Sequence, residues 1–199
     1  MLDIFKRQKY LKLLGFYSGN LDGVEGPLTR CAYRKLQEKY FNRKHVDGIY
    51  GTQTDILLEN AYIIWKNCKN FKLEEFKCEC NGKFCTGYPH KFNENIIIYI
   101  QKIRNVVSNP VYITSGLRCK QYNNSLVGSI NNSKHTRGKA VDFFCKKTKT
   151  LIGRKQIMDY YISFPFSSYT YCDEYYRAKS LKGNIRANYM ANSIHIDVK

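Results

Sequence analysis

Ser133-Lys134-His135-Thr136-Arg137-Gly138-Lys139-Ala140-Val141-Asp142, answered near the chain end by Ser193-Ile194-His195-Ile196-Asp197-Val198, is the stretch around which everything else is read. His135, Asp142 seven residues later and the distant His195 offer imidazole and carboxylate donors that suit a catalytic zinc with one position left open. Ala140 to Phe144 is apolar apart from Asp142, as a buried strand is, and Gly138 lets the chain turn into it. An ionised carboxylate in such a strand is costly unless it meets a cation or strong donors. In the last strand Ile194, Ile196 and Val198 alternate with His195 and Asp197, so a period of two puts the latter pair on one face. The competing reading is that these are separate surface or satisfied core residues, since a His and an Asp at any one spacing recur by chance.

Taken together, these residues resemble the signature of the M15 metallopeptidases, the D-alanyl-D-alanine carboxypeptidase and endolysin-type cell-wall peptidases, written S-x-H-x-x-G-x-A-x-D with a late H-x-D. Ser133, His135, Gly138, Ala140, Asp142, His195 and Asp197 fill that pattern. The family's S-G-x-R is matched by Ser115-Gly116-Leu117-Arg118 after the apolar strand Val111-Tyr112-Ile113-Thr114, and Asn123 stands where the family often has asparagine. Phe76-Lys77-Cys78-Glu79-Cys80 through Gly87-Tyr88-Pro89 also resembles the beginning of many such domains. The resemblance covers about Phe71 to Lys199.

The first 65 residues hold an internal repeat. Asp22-Gly23-Val24-Glu25-Gly26-Pro27-Leu28-Thr29 returns 25 residues later as Asp47-Gly48-Ile49-Tyr50-Gly51-Thr52-Gln53-Thr54. Each copy precedes a helical pattern, Leu28, Ala32, Leu36 and Tyr40 on one face, then Leu57, Ala61 and Ile64. With a first helix over Phe5 to Leu14, this predicts three helices joined by tight glycine turns, with Pro27 in a helix's first turn. The unit is similar to the peptidoglycan-binding domain found beside many cell-wall hydrolases, through Gln8, Leu11, Leu14, Gly15, Phe16 and Tyr17. The D-G loops can be helix-starting turns, walls of a shallow binding groove, or both.

A length of 199 residues allows two small domains, expected at 1–66 (peptidoglycan-binding-like, helical) and 71–199 (zinc peptidase-like), joined by a short polar connection without a Gly/Ser linker. In the second, Ile97, Ile100, Ile103 and Val107 predict a helix from Asn93 to Val107, stopped by Asn109-Pro110. Strands are expected at Val111 to Ser115, Ala140 to Phe144, Ser168 to Cys172 and Ser193 to Val198, with a helix over Gly153 to Ile162. The fold class is therefore α+β: a three-helix N-terminal domain followed by helices packed on a small, largely antiparallel sheet.

The formal charge of +17 calls for an anionic partner or a strongly solvated surface. Nucleic acid is the weaker reading, because no helix-turn-helix, zinc-finger or aromatic RNA-binding signature is visible. No apolar run long enough to span a membrane occurs, and Met1 to Arg7 does not read as a secretory signal, so synthesis in the cytosol and action at the bacterial wall after release are expected. Of the eight cysteines, Cys78-x-Cys80-x4-Cys85 could be a metal knuckle but lacks C-x2-C pairs and an evident fourth ligand; a disulfide and reduced thiols stay open.

The resemblance implies one catalytic Zn2+ on His135, Asp142 and His195, and hydrolysis of an amide bond in the peptidoglycan stem peptide or cross-link. Arg118, with Ser115, is placed to bind a substrate carboxylate or oxyanion, or else forms a structural ion pair. Many relatives carry Asp or Glu three residues before the last ligand histidine, where this chain has Asn192. The general base is therefore sought in Asp197 first and in Asp173 or Glu174 next, Asp197 being alternatively a residue that orients a ligand histidine. Peptidoglycan, together with anionic wall polymers, is the expected partner. A phage endolysin is the leading function; a bacterial D-Ala-D-Ala carboxypeptidase of wall remodelling and a non-catalytic, zinc-stabilised wall-binding module are the rivals.

Overall fold

The computed structural model describes residues 1–178 and 190–199, the side chains of 176–178 excepted. The chain begins with α1 (Ile4–Leu13), α2 (Pro27–Tyr40) and α3 (Thr52–Asn67). Asp3 caps α1 by accepting the Lys6 N–H, and Pro27 opens α2 where no intrahelical N–H is needed. Leu36, Leu57, Leu58 and Leu11 are sealed from solvent at the centre of these helices. Leu28, expected on the inner face of α2, is instead 63% exposed. The inward place in that first turn belongs to Thr29, which is buried and whose hydroxyl meets Gln8 Nε2 at 3.3 Å.

The two D-G loops are each folded around a buried glutamine. Gln8 Nε2 donates to Asp22 Oδ1 (2.7 Å) and the Val24 carbonyl (3.0 Å), while its Oε1 accepts the Gly23 N–H (2.9 Å). Gln37 repeats the scheme: Nε2 reaches Asp47 Oδ1 (2.9 Å), the Ile49 carbonyl (3.1 Å) and Thr54 Oγ1 (3.0 Å), and Oε1 accepts from Gly48 (2.7 Å). A primary amide offers both donors and acceptors, so one side chain satisfies a loop that has no strand or helix partner. The carbonyl groups are held inward, and Val24 and Ile49, equivalent in the repeat, are left exposed at the loop tips.

The rest is built on α4 (Glu94–Val107), α5 (Lys120–Ser125) and α6 (Leu151–Ile162), with strands β1 (Val111–Ser115), β2 (Ala140–Cys145), β3 (Ser167–Tyr171), β4 (Tyr176–Ala178) and β5 (Ile194–Val198). The order is β1-β2-β5-β3-β4, every neighbouring pair antiparallel. The α+β expectation holds, and the short helix α5 is an element that sequence patterning did not give. Asn93 caps α4 by accepting the Asn95 N–H, and Ile96, Ile97, Ile100 and Ile103 on its inner face are fully buried. Beneath the helices lie Val141, Phe143, Ile194 and Ile196, all sealed from solvent. Period two then sends Asp142, His195 and Asp197 to the opposite face of the sheet.

One continuous apolar core runs from Leu11 through Leu57 and Ile97 to Val198. Asn60 of α3, fully buried, donates to the His90 carbonyl (2.8 Å) and accepts the Phe92 N–H (2.8 Å). Lys91 adds ion pairs to Asp55 (3.1 Å) and Glu59 (2.5 Å). The helical N-terminal part is thus packed on the sheet-bearing part rather than tethered to it.

Candidate active site

Four strands bring the expected residues into one row. Ser115 of β1 lies opposite Asp142 of β2, Asp142 opposite His195 of β5, and His195 opposite Tyr171 of β3. Antiparallel partners in register share a face, so these side chains stand side by side across the sheet. His135 arrives from a short 3-10 turn, Lys134–Arg137, closed by Gly138 in the left-handed region (φ 65°). A Cβ at Gly138 would also collide with the Lys91 carbonyl, so only glycine allows the turn to dock there.

Three donor atoms converge. His195 Nδ1 lies 2.6 Å from Asp142 Oδ1 and 3.3 Å from His135 Nε2, and His135 Nε2 lies 3.2 Å from Asp142 Oδ1. All three residues are at most 6% exposed. The S-G-x-R segment holds this cluster from behind. His135 Nδ1–H donates to the Gly116 carbonyl at 2.8 Å, which leaves the Nε2 lone pair aimed at the cluster. Arg118 Nη2 donates to Asp142 Oδ2 (2.8 Å) and Arg118 Nε to Ser115 Oγ (2.8 Å). Arg118 and Ser115, expected to bind substrate, with a structural ion pair as the alternative for Arg118, are engaged with Asp142 and each other, and both line the cavity.

Burial alone would depress both histidines, and it does hold His135 below its ordinary value. At His195 burial is outweighed by the charge and hydrogen bond of Asp142, with Asp197 adding to them, and its pKa rises to about 9. For Asp142 burial is likewise overcome, by the two histidines, and the carboxyl stays ionised well below the usual range. Asp142 and Asp197 thus favour the charged form of His195, while burial favours the neutral form of His135. Three buried donors converge here, and two imidazoles with a carboxylate are a donor set that a dication of the zinc class takes.

Asp197 Oδ2 sits 3.3 Å from His195 Nε2, on the side of the ring away from the cluster, and its Oδ1 is buried without a hydrogen-bond partner. Tyr171 stacks on the same imidazole, centroids 4.5 Å apart. Tyr171 could not be singled out among 17 tyrosines by sequence, because only the β3–β5 register brings it to His195. Asp173 is not brought to the site. Its Oδ1 accepts the Met190 N–H (2.8 Å), and it does not line the cavity. Glu174 pairs with Arg154 (2.7 Å), whose Nη1 is also 3.3 Å from Asn192 Oδ1. Asn192, like Glu174, is therefore an element of the scaffold rather than of the cavity wall.

The cluster opens into a cavity of about 720 Å³. Besides Asp142 and Asp197, the acidic side chain that lines it among the described residues is Glu79, whose Oε2 accepts the Tyr122 hydroxyl at 3.2 Å. Sequence reading passed over Glu79, which stands between two cysteines and in no metal or base pattern. A second, smaller cavity of about 530 Å³ lies by the repeat loops, lined by Glu25, Arg30, Arg34, Asp47 and Ile49 among others.

Residues 69–159 match the family model described as Peptidase M15, and residues 3–55 match that of a putative peptidoglycan binding domain. The resemblance of both parts is thus borne out, with His195 and Asp197 contributed from beyond the matched range by the sheet register. Two curated relatives, both spore cortex-lytic enzymes of Bacillus cereus, are 42% identical over 59 residues, which is 30% of this chain and 22% of each relative. The chain thus spans about a fifth of the length of these relatives. Among the described residues no helix is long and apolar enough to cross a membrane.

Proposed function

We propose that this chain is a zinc-dependent peptidoglycan hydrolase in which residues 1–66 hold the wall and residues 71–199 cut an amide bond of the stem peptide or cross-link, as an endolysin does. The observation that carries this reading is the convergence of His135 Nε2, Asp142 Oδ1 and His195 Nδ1 at the wall of a large open cavity. These three residues would hold the ion. When bound, zinc supplies a Lewis acid and a water acidic enough to ionise near neutral pH.

The chain's own residues do the rest. Gly116 fixes the His135 tautomer, Arg118 holds Asp142 by one oxygen so that the other faces the histidines, and Asp197 orients His195 through Nε2. Arg118 carries five N–H donors, and those not used by Asp142 and Ser115 are available to a substrate carboxylate or developing oxyanion. With Asp197 occupied in orienting, Glu79 is the carboxylate on the cavity wall that can carry the proton to the leaving amine. The groove by Asp47, Ile49 and the arginines supports wall contact, and the charge of +17 favours anionic wall polymers.

The deciding experiment incubates the full-length chain with purified peptidoglycan and identifies the new ends by mass spectrometry. New amine and carboxyl ends should appear with the wild-type chain, and His135→Ala should sediment with the walls while releasing none. Sedimentation without new ends in the zinc-loaded wild type would leave a non-catalytic wall-binding module. Release that persists in His135→Ala would place the chemistry elsewhere.

A further inference from the structure

The four thiols of Cys78, Cys80, Cys85 and Cys119 gather in one place, although Cys119 is 41 residues from Cys78. The expectation that the first three lacked a fourth ligand is corrected here, because the turn after Ser115-Gly116-Leu117-Arg118 carries Cys119 into their midst. All four sulfurs lie within 4.8 Å of one another, and those of Cys80 and Cys85 are 3.4 Å apart. Four thiolates about 2.3 Å from a tetrahedral ion stand about 3.8 Å apart along each edge, whereas a disulfide requires about 2.05 Å. The cluster has the former spacing.

Its surroundings are those of thiolates rather than of packed apolar groups. The Cys119 N–H donates to Cys78 Sγ (3.3 Å), the Gly87 N–H to Cys85 Sγ (3.4 Å) and the Tyr122 N–H to Cys119 Sγ (3.4 Å). The cysteines form a cluster of their own, apart from the main core. Between Cys78 and Cys85 the chain has turns only: Asn81 and Gly82 take positive φ (52° and 80°), and Lys83 N–H closes on the Cys80 carbonyl at 2.9 Å. A loop with so few apolar contacts needs another source of order.

We propose that Cys78, Cys80, Cys85 and Cys119 form a second metal site, a closed tetrathiolate for a tetrahedral dication of the zinc class, which clamps the 78–87 loop to the start of α5. Four sulfurs leave no open position, so the site is structural. Its neighbours give it reach. Glu79 lies between the first two ligands and Arg118 precedes the fourth, and both line the large cavity. That the clamp sets up the hydrolytic site rests on the reading of that cavity given above; the metal site itself does not.

Cobalt and zinc are the probes. The full-length chain reconstituted with Co2+ should show thiolate-to-cobalt charge-transfer absorption, a signature that imidazole and carboxylate ligands cannot produce. Zinc analysis of the isolated protein should give two ions per chain. His135→Ala should lose one and keep the charge-transfer band; Cys80→Ser should lose the other together with the band. A wild-type chain whose cobalt form lacks the band, or whose four cysteines are recovered as disulfides by mass spectrometry, would overturn the proposal. So would a zinc content of one that His135→Ala abolishes. Should Cys80→Ser fail to fold, the wild-type cobalt spectrum and zinc count decide alone. Wall hydrolysis enters none of these readouts, so failure of the hydrolase reading would leave the result standing.

Discussion

Replacing Asp197 by Asn keeps the shape of the side chain and removes its charge, and the geometry sets what should follow. Asp197 touches His195 at Nε2 (3.3 Å), while Nδ1 faces Asp142 and His135, so its influence on a bound ion passes through the imidazole. Loss of such a carboxylate weakens metal binding about 10- to 100-fold, or about 1.4 to 2.7 kcal/mol. Proton competition modifies that figure. With a pKa of about 9, His195 must give up a proton before Nδ1 can bind metal at pH 7, a penalty of about two decades in the wild type. Asp197 is one cause of that elevated pKa, so the Asp197→Asn substitution relieves part of the penalty. The affinity loss should therefore be smaller at pH 7 than above pH 9, where the wild type has no proton to displace. Chelator-competition titrations of zinc at the two pH values, paired with turnover measured with and without added zinc, test this. Added zinc should restore most of the activity. If the variant binds zinc as the wild type does and turnover still falls by orders of magnitude, Asp197 moves protons and the orienting role is wrong.

Other perturbations reach the scaffold. Gly138→Ala combines a left-handed backbone with a collision against the Lys91 carbonyl, and should cost at least about 2 kcal/mol, read as a lowered urea midpoint; an unchanged midpoint would mean the turn can move. Gln37→Ala strips the partners of Gly48 N–H, the Ile49 carbonyl and Thr54, and should destabilise by about 2 to 4 kcal/mol while weakening sedimentation with walls. Burial pushes Asp55 up, but the Leu2 N–H, the Tyr50 hydroxyl and Lys91 outweigh it and hold its pKa below the ordinary value. Its contribution is therefore present above about pH 4 and lost as pH falls through the lowered value. Asp55→Asn should be less stable than wild type at pH 7, with the gap closing in acid; denaturation curves that stay equally far apart at every pH would refute this.

How much was legible follows from what each feature depends on. Period-two alternation in Ile194 to Val198 and the apolar run around Asp142 are local properties of the chain, so the strands and the shared face of His195 and Asp197 could be read directly, while the grouping of His135, Asp142 and His195 leaned on the resemblance. The D-G repeat was equally visible, yet its glutamine supports were not equally so: Gln8 stood in the resemblance, whereas Gln37 lies in the last turn of α2 at a different spacing from its loop. Leu28 went wrong because helical periodicity says which residues share a face and not where along the helix the core begins.

What only the tertiary structure decided concerns partners far apart in the chain. Whether Arg118 faces substrate or Asp142, whether Asp197 meets His195 on the side of the ring away from the cluster, and whether Asp173 reaches the cavity all depend on distances of a few ångströms between separate elements. Cys119 shows the same limit most plainly. Its 41-residue separation from Cys78 carries no spacing rule, and only the packing of the β1–α5 turn against the 78–87 loop sets four sulfurs together. Local pattern follows from the geometry of consecutive residues; ligand sets, ion pairs and proton affinities follow from which surfaces the folded core presses against one another.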